Sequence, residues 1–270
     1  MSTLWNAFQA ERKPVIGMLH VPALPGSPRN SLNLGAILAW VLQDARTLSE
    51  GGVDALIIEN FGDVPFYPDR VPAHTLAFLT VIARQVRQNV DLPLGINVLR
   101  NDGESAIAIA AAVGAEFVRV NVFTGARLTD QGLIQGAAHQ LLRYRQTLGA
   151  AVRILADVNV KYSAPLAPRD LVEEVEETIG RGCADGIIVT GAATGKQTPL
   201  ADLRTAVAAA HGTPVLAGSG VDEHTIAATL AIADGAIVGT ACKRGGSTTN
   251  PVDTGAVRRI VAAARAGLSS

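Results

Sequence analysis

Short apolar strands and longer helical segments alternate about eight times along this chain, and this alternation constrains the fold more than any other feature. Glycine turns often precede the strands, and the longer segments carry the spacing of amphipathic helices. The predicted strands are Val15–His20, Ala55–Glu59, Leu94–Leu99, Phe117–Val122, Arg153–Val160, Gly186–Thr190, Val215–Ala217 and Ala236–Val238. The predicted helices are Gly35–Ser49, Ala73–Gln88, Gly103–Val113, Leu133–Leu148, Arg169–Arg181, Leu203–Ala210, His224–Ala231 and Thr254–Ala266.

Regular alternation of strand and helix predicts a parallel sheet, because each helix carries the chain back to the start of the next strand. Eight repeats within 270 residues predict an α/β fold, a single-domain (β/α)8 TIM barrel over 1–270, with 1–13 as an N-terminal extension. An open doubly wound sheet is the alternative. It is disfavoured because the first strand-to-helix turn is proline-rich and no GxGxxG motif opens a helix.

The composition is that of a globular protein and excludes several classes of function. Charged residues make up 17% of the chain and the formal net charge is −1, so we expect no nucleic-acid partner. Cys183 and Cys242 have neither zinc-type nor disulfide-type spacing, which fits a reducing cytoplasm. No apolar stretch is long enough to span a membrane, and the first residues lack the apolar region of a secretion signal. We therefore predict a cytoplasmic protein.

Several predicted strands end in polar or ionisable residues. Side chains alternate along a strand, so Asp157, Asn159 and Lys161 share one face of the fifth strand, and Arg119 and Asn121 share one face of the fourth. The carboxyl ends of the strands carry the active site of such barrels. We therefore predict a polar ring at the barrel mouth, formed by His20, Glu59, Asn97, Arg119, Asn121, Asp157, Asn159 and Lys161.

The predicted ring has a structural and a functional explanation. The structural one is a buried ion pair of Arg119 with Glu59 or Asp157, but such pairs stabilise folds weakly compared with apolar packing. In the functional one, Lys161 acts as a base or nucleophile, or as an ammonium that stabilises an enolate or binds a phosphate. The predicted catalytic residues are Glu59, Asp157, Lys161 and Arg119, and the predicted substrate-binding residues are His20, Asn97, Asn121, Asn159 and Thr190.

The last two predicted strands end in small residues, which favours an anion site. Loops after strands seven and eight bind phosphate through backbone N–H groups in many barrels. The predicted phosphate-binding residues are Gly218, Ser219, Gly220, Gly239 and Thr240. The simpler explanation is that these glycines only make tight turns. We predict no metal and no cofactor, because His20, Glu59 and Asp157 lie on different strands without ligand spacing.

Several segments of the chain together resemble the BtpA family of photosystem I biogenesis proteins, which includes SgcQ-type bacterial proteins. The resemblance extends from about Val15 to the last helix. The segments are IGMLHVPALPGSP, GGVDALIIENFGDVPF, GINVLRND, RVNVFTGARLTDQGLIQGAAHQLLRYRQTLG, LADVNVK and AGSGVD.

The resemblance implies a TIM barrel of the phosphate-binding type and a role in the accumulation and stability of photosystem I. It also implies a peripheral location on the cytoplasmic face of the thylakoid membrane, whereas SgcQ-type members are grouped with sugar metabolism. The chain departs from the family pattern at Tyr162, where the family usually has histidine, and at Asn159, where a hydrophobic residue is common. The pair Lys243-Arg244 is closer to cyanobacterial members.

Three hypotheses of function follow. The first is a photosystem I biogenesis factor that associates with the thylakoid membrane or the assembly machinery. The second is an isomerase or a lyase of the aldolase type that acts on a phosphorylated small molecule. The third is a scaffold whose outer helices bind a partner, and a second copy of the chain is a further candidate partner.

Overall fold

A computed structural model describes residues 4–9, 12–191 and 193–268 of the chain. The strands are β1 Val15–His20, β2 Ala55–Glu59, β3 Leu94–Asn97, β4 Phe117–Val120, β5 Ala126–Thr129, β6 Gly132–Gln135, β7 Arg153–Val158, β8 Ser163–Pro165, β9 Gly186–Val189, β10 Val215–Ala217 and β11 Gly235–Val238. Eight of these strands are parallel and close into a barrel in the order β1-β11-β10-β9-β7-β4-β3-β2, which confirms the predicted fold. The α-helices are α1 Leu4–Gln9, α2 Leu34–Glu50, α3 Ala73–Asn89, α4 Gly103–Val113, α5 Ala138–Thr147, α6 Leu171–Gly180, α7 Leu200–Ala209, α8 Ile226–Leu230 and α9 Thr254–Leu268.

The barrel strands are buried on both faces, which explains why they are short apolar runs. Residues on their outer faces join the inner faces of the helices in one large apolar cluster. Residues on their inner faces, among them Ile16, Ile57 and Phe117, fill the barrel interior. Gly95 on β3 leaves room for the Phe117 ring, because a Cβ atom there would lie 2.2 Å from that ring. The lower interior is therefore a packed core rather than a channel.

The predicted N-terminal extension contributes a helix that closes the amino end of the barrel. Leu4 of α1 is 2% exposed and belongs to the inner apolar cluster, against which Trp5 and Phe8 also pack. The Arg153 guanidinium, at the start of β7, lies 5.2 Å from the centre of the Trp5 ring. Residues 1–3, 10 and 11 of the extension lie outside the described part of the chain. No helix in the described ranges combines the length and apolarity needed to cross a membrane.

The prediction of one helix over Leu133–Leu148 is wrong in its first part. Residues Gly132–Gln135 instead form a strand that pairs antiparallel with Ala126–Thr129, and β8 adds a third strand to this small sheet. Gly132 has a φ of +93°, which suits the tight hairpin turn. Four predicted barrel strands also end one or two residues earlier than expected, namely β3, β4, β7 and β9.

A buried ion pair joins the segment after β11 to helix α2. Lys243 Nζ lies 2.5 Å from Asp44 Oδ2, and the exposed fractions of the two side chains are 0% and 3%. The second carboxylate oxygen of Asp44 accepts the backbone N–H of Val252 at 2.8 Å. This pair fixes the backbone that follows the last barrel strand, where the predicted anion site lies.

Replacing Asp44 by alanine should lower the free energy of unfolding by about 3–5 kcal/mol, because the Lys243 ammonium would remain buried without a carboxylate. Urea denaturation followed by circular dichroism measures the loss. The double variant Asp44→Leu, Lys243→Met removes both charges and should recover more than half of it. Equal stability of the single and double variants would show that the unpaired charge is not the cause.

Candidate active site

A cavity of about 230 Å³ opens at the carboxyl ends of the barrel strands. It brings together side chains from strands that are far apart in the sequence, as the predicted polar ring requires. We call it the mouth cavity. Its lining consists of Met18, His20, Glu59, Arg119, Lys161, Thr194, Gly195, Gly218, Ser219, Gly220, Val221, Asp222, Ile237, Gly239, Thr240 and Ala241.

A two-point ion pair forms the floor of this region. Arg119 Nε donates to Asp157 Oδ1 at 2.8 Å, and Arg119 Nη2 donates to Asp157 Oδ2 at 2.9 Å. Asn121 donates to the same Oδ2 at 2.8 Å, so both carboxylate oxygens of Asp157 are occupied. Asn97 donates to the Arg119 carbonyl at 3.1 Å. Asp157, Asn97 and Asn121 therefore support Arg119 from below and do not line the cavity.

Arg119 presents a permanent positive charge to the mouth cavity. Burial acts to lower the pKa of its guanidinium, but the carboxylates of Asp157 and Glu59 outweigh burial and raise this pKa. Nε and Nη2 are committed to Asp157, whereas no hydrogen bond within the described part of the chain involves Nη1. A ligand oxygen can therefore bind to this nitrogen.

Lys161 supplies a second cation to the mouth cavity, from the loop that follows β7. Within the described ranges its ammonium group makes no hydrogen bond and no ion pair, although the residue lines the cavity. Burial lowers the pKa of Lys161, and the nearby Arg119 charge lowers it further. Such an ammonium is a donor for an anionic ligand and gives up a proton more readily than an exposed lysine.

Arg100 holds the backbone of Lys161, a role that sequence reasoning missed. Its Nη2 donates to the Lys161 carbonyl at 2.7 Å, and the residue is 4% exposed. Burial lowers the pKa of Arg100, and the nearby Asp157 carboxylate acts against this. A guide to this residue was its position directly after the third predicted strand, in GINVLRND.

Glu59 and His20 lie side by side in the wall of the mouth cavity, at paired positions of β2 and β1. His20 Nε2 lies 3.9 Å from Glu59 Oε1, and the two residues are 8% and 3% exposed. The Glu59 carboxylate makes no hydrogen bond with any described residue. A carboxylate that no protein donor occupies is free to contact a ligand in the cavity, as a general base must be.

His20 is neutral. Burial lowers its pKa well below 6.5, and the charges of Lys243 and Lys161 lower it further. Its Nδ1 is buried without a hydrogen-bond partner. An unpaired N–H is more costly there than an unpaired lone pair, so we assign the proton to Nε2, which points toward Glu59 and the cavity.

The glycine-rich ends of β10 and β11 line the mouth cavity beside β1, and Gly239 lies close to His20, because a Cβ atom there would be 3.0 Å from the His20 ring. The Ser219 hydroxyl accepts the Gly191 N–H at 2.7 Å and donates to the Lys196 carbonyl at 3.0 Å, so it ties two loops together. Gly220 has a φ of +65°, and a Cβ atom there would lie 2.2 Å from the Gln197 backbone. The backbone N–H groups of Gly220 and Thr240 make no hydrogen bond with described residues, and they are therefore available to a ligand.

The structure corrects the prediction for Asn159. β7 ends at Val158, and Asn159 has a φ of +50°, which breaks the alternation of faces and leaves the residue exposed. Lys161, two residues further along the loop, nevertheless lines the cavity. Thr190 is buried and donates to the Asn159 carbonyl at 3.3 Å, but it does not line the cavity either.

Tyr162 anchors the loop that follows β9. Its hydroxyl accepts the backbone N–H of Thr194 at 2.9 Å, and Thr194 and Gly195 line the mouth cavity. Ala192 of this loop lies outside the described residues. The tyrosine thus has a definite contact at the position where the sequence departs from the family pattern.

No group of three or more His, Cys, Asp and Glu residues within the described part of the chain is arranged to hold a metal ion. His20 and Glu59 are near each other, but the Asp157 carboxylate is directed to Arg119 and Asn121. The described part of the mouth thus offers hydrogen-bonding and charged groups to a ligand: two cations, a carboxylate, a neutral imidazole and backbone N–H groups.

Comparison with known proteins identifies relatives over the whole length of the barrel. The sequence model of the BtpA family matches residues 11–266. The chain is 48% identical to the photosystem I biogenesis protein BtpA of Synechocystis, covering 99% of this chain and 93% of the relative. It is 44% identical to an uncharacterized protein of Pyrococcus furiosus, covering 89% and 90% of the two chains.

Solved structures show the same fold at low sequence identity. The N-(5'-phosphoribosyl)anthranilate isomerase of Pyrococcus furiosus superposes with a TM-score of 0.57 at 13% identity. The match covers 94% of this chain and 99% of the isomerase chain. At this identity the likeness supports the barrel fold alone.

Replacing His20 by asparagine should weaken the dependence of stability on pH below about 6.5. The folded-state pKa of His20 lies below its unfolded value, so the unfolded chain binds more protons as the pH falls, and stability is lost through and below pH 6.5. The variant should remove up to about 1.4 kcal/mol per pH unit from this slope. Urea unfolding across the acidic range measures it.

The matched control is His211→Asn, because the His211 side chain is 77% exposed. It should leave the slope as it is in the parent chain. An acidic slope that is unchanged by His20→Asn would mean that His20 titrates normally in the folded protein.

Proposed function

The chain belongs to the BtpA family, and we propose that its mouth cavity binds a phosphorylated small molecule and transfers a proton beside a carbonyl group, as an isomerase or a lyase does. The observation that carries this proposal is the pair of charged groups left without direct protein partners in one cavity, Glu59 and Lys161. Burial of unpaired charges destabilises a fold, so their presence is explained best by a ligand that compensates them.

The reaction follows from the positions of these groups. Glu59 takes the proton from the carbon next to the carbonyl, and the electron pair moves onto the carbonyl oxygen. Lys161 and Arg119 stabilise the negative charge that develops there, and the Nε2 proton of neutral His20 is a further donor. In an isomerase that acts on an α-hydroxy carbonyl compound, the hydroxyl proton moves to the former carbonyl oxygen, and the protonated Glu59 delivers its proton to the former carbonyl carbon. In a lyase Glu59 instead takes the proton of a hydroxyl group on the carbon β to the carbonyl. That hydroxyl group becomes a carbonyl, the bond between the α and β carbons breaks, and the departing enolate takes the proton back from Glu59 at its α carbon.

The glycine-rich side of the mouth supports a phosphate. The backbone N–H groups of Gly220 and Thr240 are uncommitted, and Gly218 and Gly239 keep the adjacent wall free of side chains. The Ser219 hydroxyl is occupied between loops, so its contribution to binding is confined to the backbone. We therefore propose that the phosphate binds at the glycine-rich side and that the reacting carbons lie near the Glu59 carboxylate.

Replacing Lys161 by methionine should weaken the binding of inorganic phosphate at least tenfold, because the free ammonium of the mouth is lost. Glu59→Gln should strengthen phosphate binding, because it removes a like charge from the same cavity. Isothermal titration calorimetry measures both affinities.

Lys196→Met is the control, since this exposed lysine lies on the loop beside the mouth and should not affect binding. An unchanged affinity in Lys161→Met would remove the ammonium from the site. A parent chain that binds no phosphate would overturn the proposed substrate class.

We also propose that the chain supports photosystem I biogenesis. This second proposal is favoured by the 48% identity over 99% of the chain to the Synechocystis relative that carries this role in its name. It includes a peripheral location on the cytoplasmic face of the thylakoid membrane, in contact with the assembly machinery. The two proposals are compatible, since an enzyme can supply a metabolite that assembly requires.

A Synechocystis strain without its own relative tests this role and its link to the mouth. Expression of this chain should restore photosystem I content, measured by low-temperature chlorophyll fluorescence. Glu59→Gln and Lys161→Met, present at equal protein levels, should not restore it, whereas Lys196→Met should. Failure of the parent chain would contradict the biogenesis role. Full restoration by the two mouth variants would separate that role from chemistry in the cavity.

A further inference from the structure

A second cavity of about 290 Å³ lies beside the mouth cavity, and His20 lines both. We call it the side chamber. It is formed by the loops that follow β1 and β2, together with helix α2 and the segment after β11. Its wall is mainly apolar and includes Leu32, Trp40, Phe61 and Val64, while Arg29, Thr248 and Thr249 contribute polar groups.

His20 borders both spaces. Its ring lies against the Phe61 ring, with 4.6 Å between centroids and an angle of 46° between planes. Its Nε2 atom lies 3.9 Å from the Glu59 carboxylate, on the side of the mouth cavity. One imidazole therefore contributes to the apolar wall of the side chamber and to the polar wall of the mouth.

The contrast between the two linings indicates two different parts of a ligand. The mouth cavity offers two cations and free N–H groups, which suit an anionic group. The side chamber is lined by the aromatic side chains of Trp40 and Phe61, which suit an apolar aromatic group. Small-molecule sites usually span roughly 300–1,000 Å³. The mouth alone falls below that range, and the two spaces together fall within it.

We propose that the ligand of this barrel is a phosphate ester with an aromatic group, whose phosphate lies in the mouth cavity and whose ring lies in the side chamber against Trp40. The inference rests on the proposed function, because it takes the phosphate from there and adds the second half of the ligand. Trp40 and Phe61 are then the residues that select this ligand, and Glu59 with Lys161 is the part that acts on it.

The chain offers a direct probe, because Trp5 and Trp40 are its only tryptophans. Trp5 lies at the opposite end of the barrel, so Trp5→Phe leaves Trp40 as the sole indole without touching the proposed site. Propyl phosphate and 3-phenylpropyl phosphate are titrated into this variant. The phenyl compound should bind at least tenfold more tightly, and it alone should change the Trp40 emission, whereas propyl phosphate should bind without changing it.

Two further variants test whether the difference in affinity depends on an aromatic ring at position 40. In Trp40→Ala the ratio of the two affinities, measured by calorimetry, should fall to about one, and in Trp40→Phe it should stay near the ratio of the parent chain. Circular dichroism checks that each variant is folded.

The outcomes separate this inference from the function on which it rests. Equal affinity for the two phosphates, or an unchanged Trp40 emission with both, would overturn the side chamber as a ligand site and leave phosphate binding intact. Absence of binding by both compounds would overturn the proposed function itself. Tight binding of the phenyl compound that survives in Trp40→Ala would place the ring elsewhere.

Discussion

The ion pair between Arg119 and Asp157 is the interaction on which the geometry of the mouth depends. A guanidinium that is 1% exposed inside a barrel is stable only with a carboxylate in bidentate geometry, and this requirement fixes β4 against β7. Asn121 completes the carboxylate, and Asn97 binds the Arg119 carbonyl, which extends the same network to β3. The network leaves one guanidinium nitrogen for the cavity. The network is a rigid support beneath any ligand that the mouth binds.

Above this network, two charged side chains have no hydrogen-bond partner among the described residues. Asp157 uses both oxygens within the protein, whereas Glu59 and the Lys161 ammonium have no such bonds among the described residues. Arg100 holds the Lys161 backbone, so the ammonium is positioned without being neutralised. The distinction between a satisfied carboxylate and an unsatisfied one separates the structural explanation of the polar ring from the functional one. The structural explanation applies to the layer of Arg119 and Asp157, and the proposed function rests on the unpaired groups of the layer above it.

The sequence predicts the strands well because strands buried on both faces are short and mainly apolar. The sequence also predicts Glu59, Arg119 and Lys161 in one cavity, because the carboxyl ends of all the barrel strands lie at the same end of the barrel. Alternation fails at Asn159, since the rule holds only while the backbone is extended and β7 ends one residue earlier. The helical spacing within 133–148 concealed the β5–β6 hairpin, which turns at Gly132. The position of Arg100 directly after a predicted strand was a local signal, whereas its contact with Lys161 and the shape of the side chamber depend on how loops meet.

His20 forms part of the wall of both spaces, and its neutral state makes this possible. Its neutrality lets one ring border a charged cavity and an apolar chamber, because a protonated imidazole would face the charges of Lys161 and Arg119 and would not pack well on Phe61. Glu59 and Arg119 lie on barrel strands, whereas Lys161 lies in the loop after β7, and the walls of the side chamber come largely from loops and α2. Loops change more easily than strands. Substitutions in the side chamber can therefore alter the proposed binding of the aromatic ring while Glu59 and Arg119 keep their positions.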